Sequence, residues 1–103
     1  MPQFTIWKNP GRNRAIAYVV EIQSNRLSRS LGRVVIPLVI CTPQAPPEHP
    51  LTPRLIVNGV EVFANPFDLA TLPANRLVDA VATLSERDQD RVIRALDELV
   101  SRA

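Results

Sequence analysis

Residues 19–40 read VVEIQSNRLSRSLGRVVIPLVI, and the rest of the chain is arranged around this stretch. Its two ends are apolar and rich in β-branched residues, which places strands over Val19–Gln23 and Arg33–Ile40. The middle, Ser24 to Gly32, carries serines, arginines and a glycine and reads as a loop presenting an exposed segment. The second strand, continued to Cys41, is an almost unbroken apolar run, which implies burial on both of its faces. Pro37 lies inside it and has no N–H to give to a ladder, so the strand is expected at a sheet edge or kinked at that point.

Working outward, Gln3 to Lys8 alternates, with Phe4 and Ile6 on one face and Gln3, Thr5 and Trp7 on the other, and is expected to be a short strand. Asn9-Pro10-Gly11-Arg12-Asn13 is a turn. The strand after it begins near Ala15 and places Ile16, Tyr18, Val20 and Ile22 on one face. Ala17, Val19, Glu21 and Gln23 make the other face, which turns polar towards its end. Thr42 to Pro53 holds five of the ten prolines and the single histidine, and reads as a stiff, extended surface connection. Leu55–Val57, then Asn58-Gly59, then Val60–Phe63 is a hairpin signal, because Asn-Gly supplies the two positive φ angles of a type I′ turn. Asn65 to Pro73 is expected to be irregular or a short strand, and Leu77 to Leu84 a helical turn or another strand. The C-terminus predicts a helix: Ser85 is the N-cap, Glu86 and Asp88 favour the positive end of the dipole, and Val92, Leu96, Leu99 and Val100, flanked by Ile93 and Ala95, form the apolar stripe.

The chain of 103 residues is long enough for one modest core, and one domain over 1–103 is expected. Net charge is +2, too small to indicate nucleic-acid binding by itself. Of the twelve basic residues only Lys8 is lysine, and arginine favours bidentate pairing with carboxylates as readily as with phosphate. Cys41 is the only cysteine, so an internal disulfide is excluded, and its place at the end of an apolar run reads as a buried small hydrophobe. One His and one Cys do not make a zinc site, the three glycines sit at turns rather than in a phosphate loop, and neither cofactor nor metal is expected. His49 reads as a solvated loop histidine. Asp88 and Asp90 point in different directions from one helix and are not a catalytic pair. The opening residues lack a signal-peptide pattern and the longest apolar run is too short for a bilayer, so a cytoplasmic location without membrane contact is expected. Residue chemistry alone therefore points to a binding protein.

The residues also carry a resemblance. Val20-Glu21-Ile22-Gln23-Ser24, an irregular loop and Gly32-Arg33-Val34-Val35-Ile36-Pro37-Leu38 together resemble the core of the CcdB toxins. Gln3-Phe4, Thr52-Pro53, Asn58-Gly59, Leu72-Pro73 and Leu84-Ser85 with Arg87 and Asp88 extend the likeness over essentially the whole chain. The resemblance implies an α+β fold: a small SH3-like antiparallel β-barrel or sheet of the CcdB/MazF kind with one C-terminal α-helix, assembled as a homodimer. It implies a toxin that binds the A subunit of DNA gyrase and traps its cleaved DNA complex. A CcdA-like antitoxin would neutralise it, and the two together would repress their own operon, meeting operator DNA only as that complex. By the same resemblance gyrase would meet the end of the helix, Asp97, Val100, Ser101, Arg102 and Ala103, with Trp7 as an added aromatic. The family carries Trp-Gly-Ile where this chain has Ser101, Arg102 and Ala103. The antitoxin surface would be Ser24, Asn25, Arg26, Leu27, Arg29 and Arg33, whose arginines attract acidic side chains. The alternatives are a MazF/Kid-like endoribonuclease, for which His49 with Arg12 or Arg14 would have to supply base and cation, and a family member that binds antitoxin without poisoning gyrase.

Overall fold

The computed structural model describes residues 3–27 and 30–101. Seven strands, β1 (Thr5–Lys8), β2 (Ile16–Glu21), β3 (Gly32–Ile40), β4 (Arg54–Val57), β5 (Val60–Ala64), β6 (Ala70–Pro73) and β7 (Ala80–Thr83), precede one helix, α1 (Glu86–Leu99). The strands form a single curled antiparallel sheet in the order β4-β5-β3-β2-β1-β7, with β6 also paired to β3. An α+β fold with an antiparallel sheet and one C-terminal helix is thus what the chain adopts. Among the described residues no helix is long and apolar enough to cross a membrane.

β3 is central rather than at an edge, which corrects one of the two expectations drawn from Pro37, the edge position. Along one side it pairs with β2, with Val19 opposite Pro37. Along the other side it pairs first with β6, over Gly32–Val35, and then with β5, over Leu38–Ile40. Pro37 lies at the change of partner. Its carbonyl accepts a hydrogen bond from the Asn65 amide at 3.1 Å, on the side away from β2. In an extended residue N and O point the same way, so the missing donor faces the junction and no rung of the β2 ladder is lost.

Both faces of β3 are buried, as its unbroken apolar run implies. One face holds the main core, where Val20, Ile36, Leu38 and Val62 are fully buried together with Ile6, Leu55 and Val57. α1 closes this core with Val92. The opposite face holds a smaller cluster of Trp7, Val19, Val35 and Leu77, joined by Ile16 and Leu72. The register between β2 and β3 shifts between Ile16 and Tyr18. That irregularity places Ile16 in the smaller cluster while Tyr18 and Ile22 stay with the main core, so the expected alternation breaks at its first member.

The remaining elements follow local chemistry. Asn58 (φ 49°) and Gly59 (φ 80°) take the two left-handed positions of the hairpin turn. Pro66–Asp68 is a 3-10 turn in which Asn65 Oδ1 accepts from the Phe67 amide, and Ala70–Pro73 is a strand. Within 77–84 the chain chooses strand, pairing Ala80–Thr83 with β1. Ser85 caps α1 by accepting from the Asp88 amide at 3.2 Å. The stripe of α1 is narrower than expected: Val92 and Ala95 are buried, while Ile93 is 39% and Val100 73% exposed. Val100 lies beyond the last helical turn as its C-cap, which takes it off the packed face. The proline-rich connection is tied down at two points, by Arg54 donating to the Pro46 carbonyl at 2.9 Å and by Glu48 meeting Arg91 of α1 at 3.1 Å.

Candidate functional site

The loop between β2 and β3 is built by its own polar side chains. Gln23 bridges its base: Oε1 accepts from the Val34 amide at 3.1 Å and Nε2 donates to the Leu27 carbonyl at 3.0 Å. Ser24 Oγ accepts from the Arg26 amide at 3.2 Å and shapes the 3-10 turn Asn25–Leu27. Asn25 Oδ1 accepts from the Gln3 amide, and the Leu31 carbonyl accepts from the Ala74 amide. Held in this way, Ser24, Asn25, Arg26 and Leu27 are brought together and exposed, with Leu27 57% and Leu31 88% accessible. Leu27 is thus an open apolar group next to the exposed Arg26, and Leu31 is a second open apolar group where the chain enters β3. Leu31 was missed by sequence reasoning, and its apolar character inside a polar loop was the available signal. Arg29 lies outside the described residues.

Arg33, expected on the antitoxin surface, is instead placed inside the molecule. Only 6% exposed, it sits under the loop. Its Nε lies 3.6 Å from Glu21 Oε2, and its Nη1 donates to the Ser30 carbonyl and, at 3.1 Å, to that of Gly32. Glu21 is 2% exposed and its Oε1 accepts from Trp7 Nε1 at 3.3 Å. Burial pushes the Glu21 carboxyl above its ordinary value, against the opposing effects of the Trp7 hydrogen bond and the Arg33 charge. The polar end expected for this face of β2 is therefore an internal ion pair.

Beside this layer the Asn9–Asn13 turn folds over the sheet. Asn9 organises it by donating to the carbonyls of Asn13 and Ile16 and accepting from the Gly11 amide. Arg76 fastens it from the other side, donating to the Pro10 carbonyl at 3.0 Å. A groove of about 290 Å³ runs beneath, floored by Val19, Val35 and Pro37 and bounded by Asp68, Leu72 and Arg76. Arg12 and Arg14 are exposed on the turn.

The model of the family described as CcdB protein matches residues 3–101. The chain belongs to the CcdB family. No relative is found by sequence among curated proteins. Among solved structures, an endoribonuclease in complex with its cognate antitoxin from a mycobacterial species superposes with a TM-score of 0.79 at 11% identity. The match covers 100% of this chain and 97% of that one. At that identity the likeness is one of fold.

The end of α1 is the second surface that the sequence resemblance singles out. Asp97, Val100 and Ser101 are exposed there, whereas Arg102 and Ala103 lie outside the described residues. Trp7 is not with them: it is 3% exposed within the second cluster, and its indole N–H is engaged by Glu21. His49 is exposed on the proline-rich connection, its Nδ1 accepting from the Leu51 amide, and it lines a hollow with Pro46, Pro47 and Phe67. Neither Arg12 nor Arg14 lines that hollow. Cys41 is half-buried rather than buried. Its surroundings push the thiol above its ordinary value, desolvation being the largest cause, which disfavours the nucleophilic thiolate.

Proposed function

We propose that this chain is the toxin of a toxin–antitoxin pair and acts by binding rather than by covalent chemistry. The observation that carries the reading is the CcdB family match over residues 3–101. The geometry supports its finer parts. The exposed Arg26, Leu27 and Leu31 fit an acidic antitoxin segment with apolar anchors, since arginine pairs carboxylates bidentately while exposed leucines take up the apolar side chains. The exposed end of α1, with Val100 beside Asp97 and Ser101, is the surface assigned to the A subunit of DNA gyrase. The toxin is a homodimer that represses its own operon only together with its CcdA-like antitoxin, and its place of action is the cytoplasm.

Two measurements separate these parts. Arg26→Glu combined with Leu31→Ala should weaken capture of the antitoxin encoded beside this gene by about a hundredfold, a loss of two side chains of hot-spot kind. Undiminished capture would move the antitoxin surface elsewhere. Incubation with gyrase and supercoiled plasmid should accumulate linear DNA with protein-bound ends, and its absence at micromolar toxin would reject poisoning while leaving antitoxin binding intact. The fold shared with an endoribonuclease gives the competing reading, and RNA left intact on long incubation disposes of it.

A further inference from the structure

Several of the anchors of the 24–31 loop are made at its surface: Asn25 with Gln3, Gln23 with Leu27, and Leu31 with Ala74. Another comes from inside the molecule. The Arg33 guanidinium faces the Glu21 carboxylate on one side and the carbonyls of Ser30 and Gly32 on the other. Glu21 is in turn oriented by the Trp7 indole. A buried ion pair is an inefficient source of stability, because removing two charges from water costs about as much as their attraction returns. The upward push that burial gives the Glu21 carboxyl agrees with that balance. What the pair supplies, and apolar residues of the same volume would not, is direction. A guanidinium holds its donors in a rigid fork, here turned to the carbonyls of Ser30 and Gly32, and the neighbouring carboxylate attracts its charge to that place.

We propose that Glu21 and Arg33 form an internal strut whose task is to position the described loop residues 24–27 and 30–31, Glu21 orienting Arg33 and Arg33 holding the closing residues Ser30 and Gly32. The strut thereby sets how Arg26, Leu27 and Leu31 are presented. This deepens the recognition reading above and rests on it for its purpose. Glu21 and Arg33 are positioning residues, too buried to touch a partner themselves.

Native-state hydrogen exchange on the full chain tests the strut. The amides to follow are those of Leu27, Ser30 and Ala74, which bond to the carbonyls of Ser24, Leu27 and Leu31, against Val20 and Val62 in the core. In Glu21→Leu/Arg33→Met the ion pair is replaced by apolar groups of similar size. The urea midpoint should stay near that of the wild type while the loop amides exchange about ten times faster and the core amides do not change. Arg33→Lys keeps the charge and loses the fork, and should loosen the same three amides, so the test survives if the double variant fails to fold. Loop exchange that is unchanged in a folded variant, or that rises by the same factor as the core, overturns the proposal. No partner is present in this measurement, so failure of the strut and failure of the recognition reading appear in different experiments.

Discussion

On the face of the sheet that receives α1, Val20, Ile36, Leu38 and Val62 belong to a large cluster of buried apolar side chains, whereas on the opposite face Trp7, Val19 and Val35 share their layer with Glu21 and Arg33. The same two strands, β2 and β3, build both layers, so the contrast comes from alternate residues of one segment. Apolar packing is non-directional and roughly proportional to area. It holds the sheet to the helix and is indifferent to which neighbour fills a given space, within volume limits. The charged layer depends on angles as well as volume, and it lies directly beneath the loop that carries the exposed arginine and leucines. One layer secures the fold and the other sets the geometry of a surface.

The comparison breaks most sharply if one charge is left alone. Glu21→Leu buries Arg33 without its counter-charge and should lower unfolding stability by about 3–5 kcal/mol in urea titration, most of it restored when Arg33→Met is added. Equal loss in the single and double variants would show that the pair does not act as a unit. On the α1 face, Leu38→Ala removes a fully buried side chain from an apolar layer and should cost about 2–5 kcal/mol. No second substitution of a charged residue should compensate it. Loop exchange faster than the general loss of stability explains would contradict the separation of the two layers.

Much of this was legible in the chain. The alternation of β1 and β2, the Asn58-Gly59 turn, the Ser85 cap and the unbroken run of β3 each report a local rule, and β1 to β5 and the start of α1 lie within a residue or two of their expected places, whereas β6 and β7 are shorter than the segments that offered them. The misses involve partners far away in sequence. Pro37 predicts an edge only if a strand has one partner along each side. Here two strands, β5 and β6, divide one side of β3, and the proline falls between them. Arg33 reads as a surface group and Glu21 only as part of the polar end of its face. That they face one another depends on a register in which Glu21 lies opposite Val35, two residues from Arg33, which no local pattern reveals. Trp7 was available as an anchor until β7 and Leu77 covered it.

A smaller effect tests how closely the second layer is fitted at its margin. Gly32 pairs with Pro73, and a Cβ added there would lie 2.8 Å from Thr71 Cγ2, too near for two carbons. Gly32→Ala should therefore cost about 1–3 kcal/mol as β6 shifts away from β3. Thr71→Ser removes the opposing methyl and should return most of the loss, whereas a cost that Thr71→Ser leaves untouched would place the strain in the loop instead.

The smallest expected effect is on the pH dependence of stability, and its sign follows from Glu21. Burial raises this carboxyl above 4.5 in the folded chain despite the Trp7 hydrogen bond and the Arg33 charge. Between 4.5 and that elevated value the folded protein keeps a proton that the unfolded chain has already released. Folding is therefore favoured most at the acid side of the window, and stability declines as the pH rises through it. The other carboxylates contribute their own pH dependence, so the wild type is compared with Glu21→Leu/Arg33→Met, in which only this group and its partner are gone. Urea midpoints measured from about pH 4 upward should fall more with rising pH in the wild type than in the double variant. Parallel curves would mean that Glu21 carries the same charge in both states, and the layer would then owe its cohesion to the ion pair as much as to the apolar residues around it.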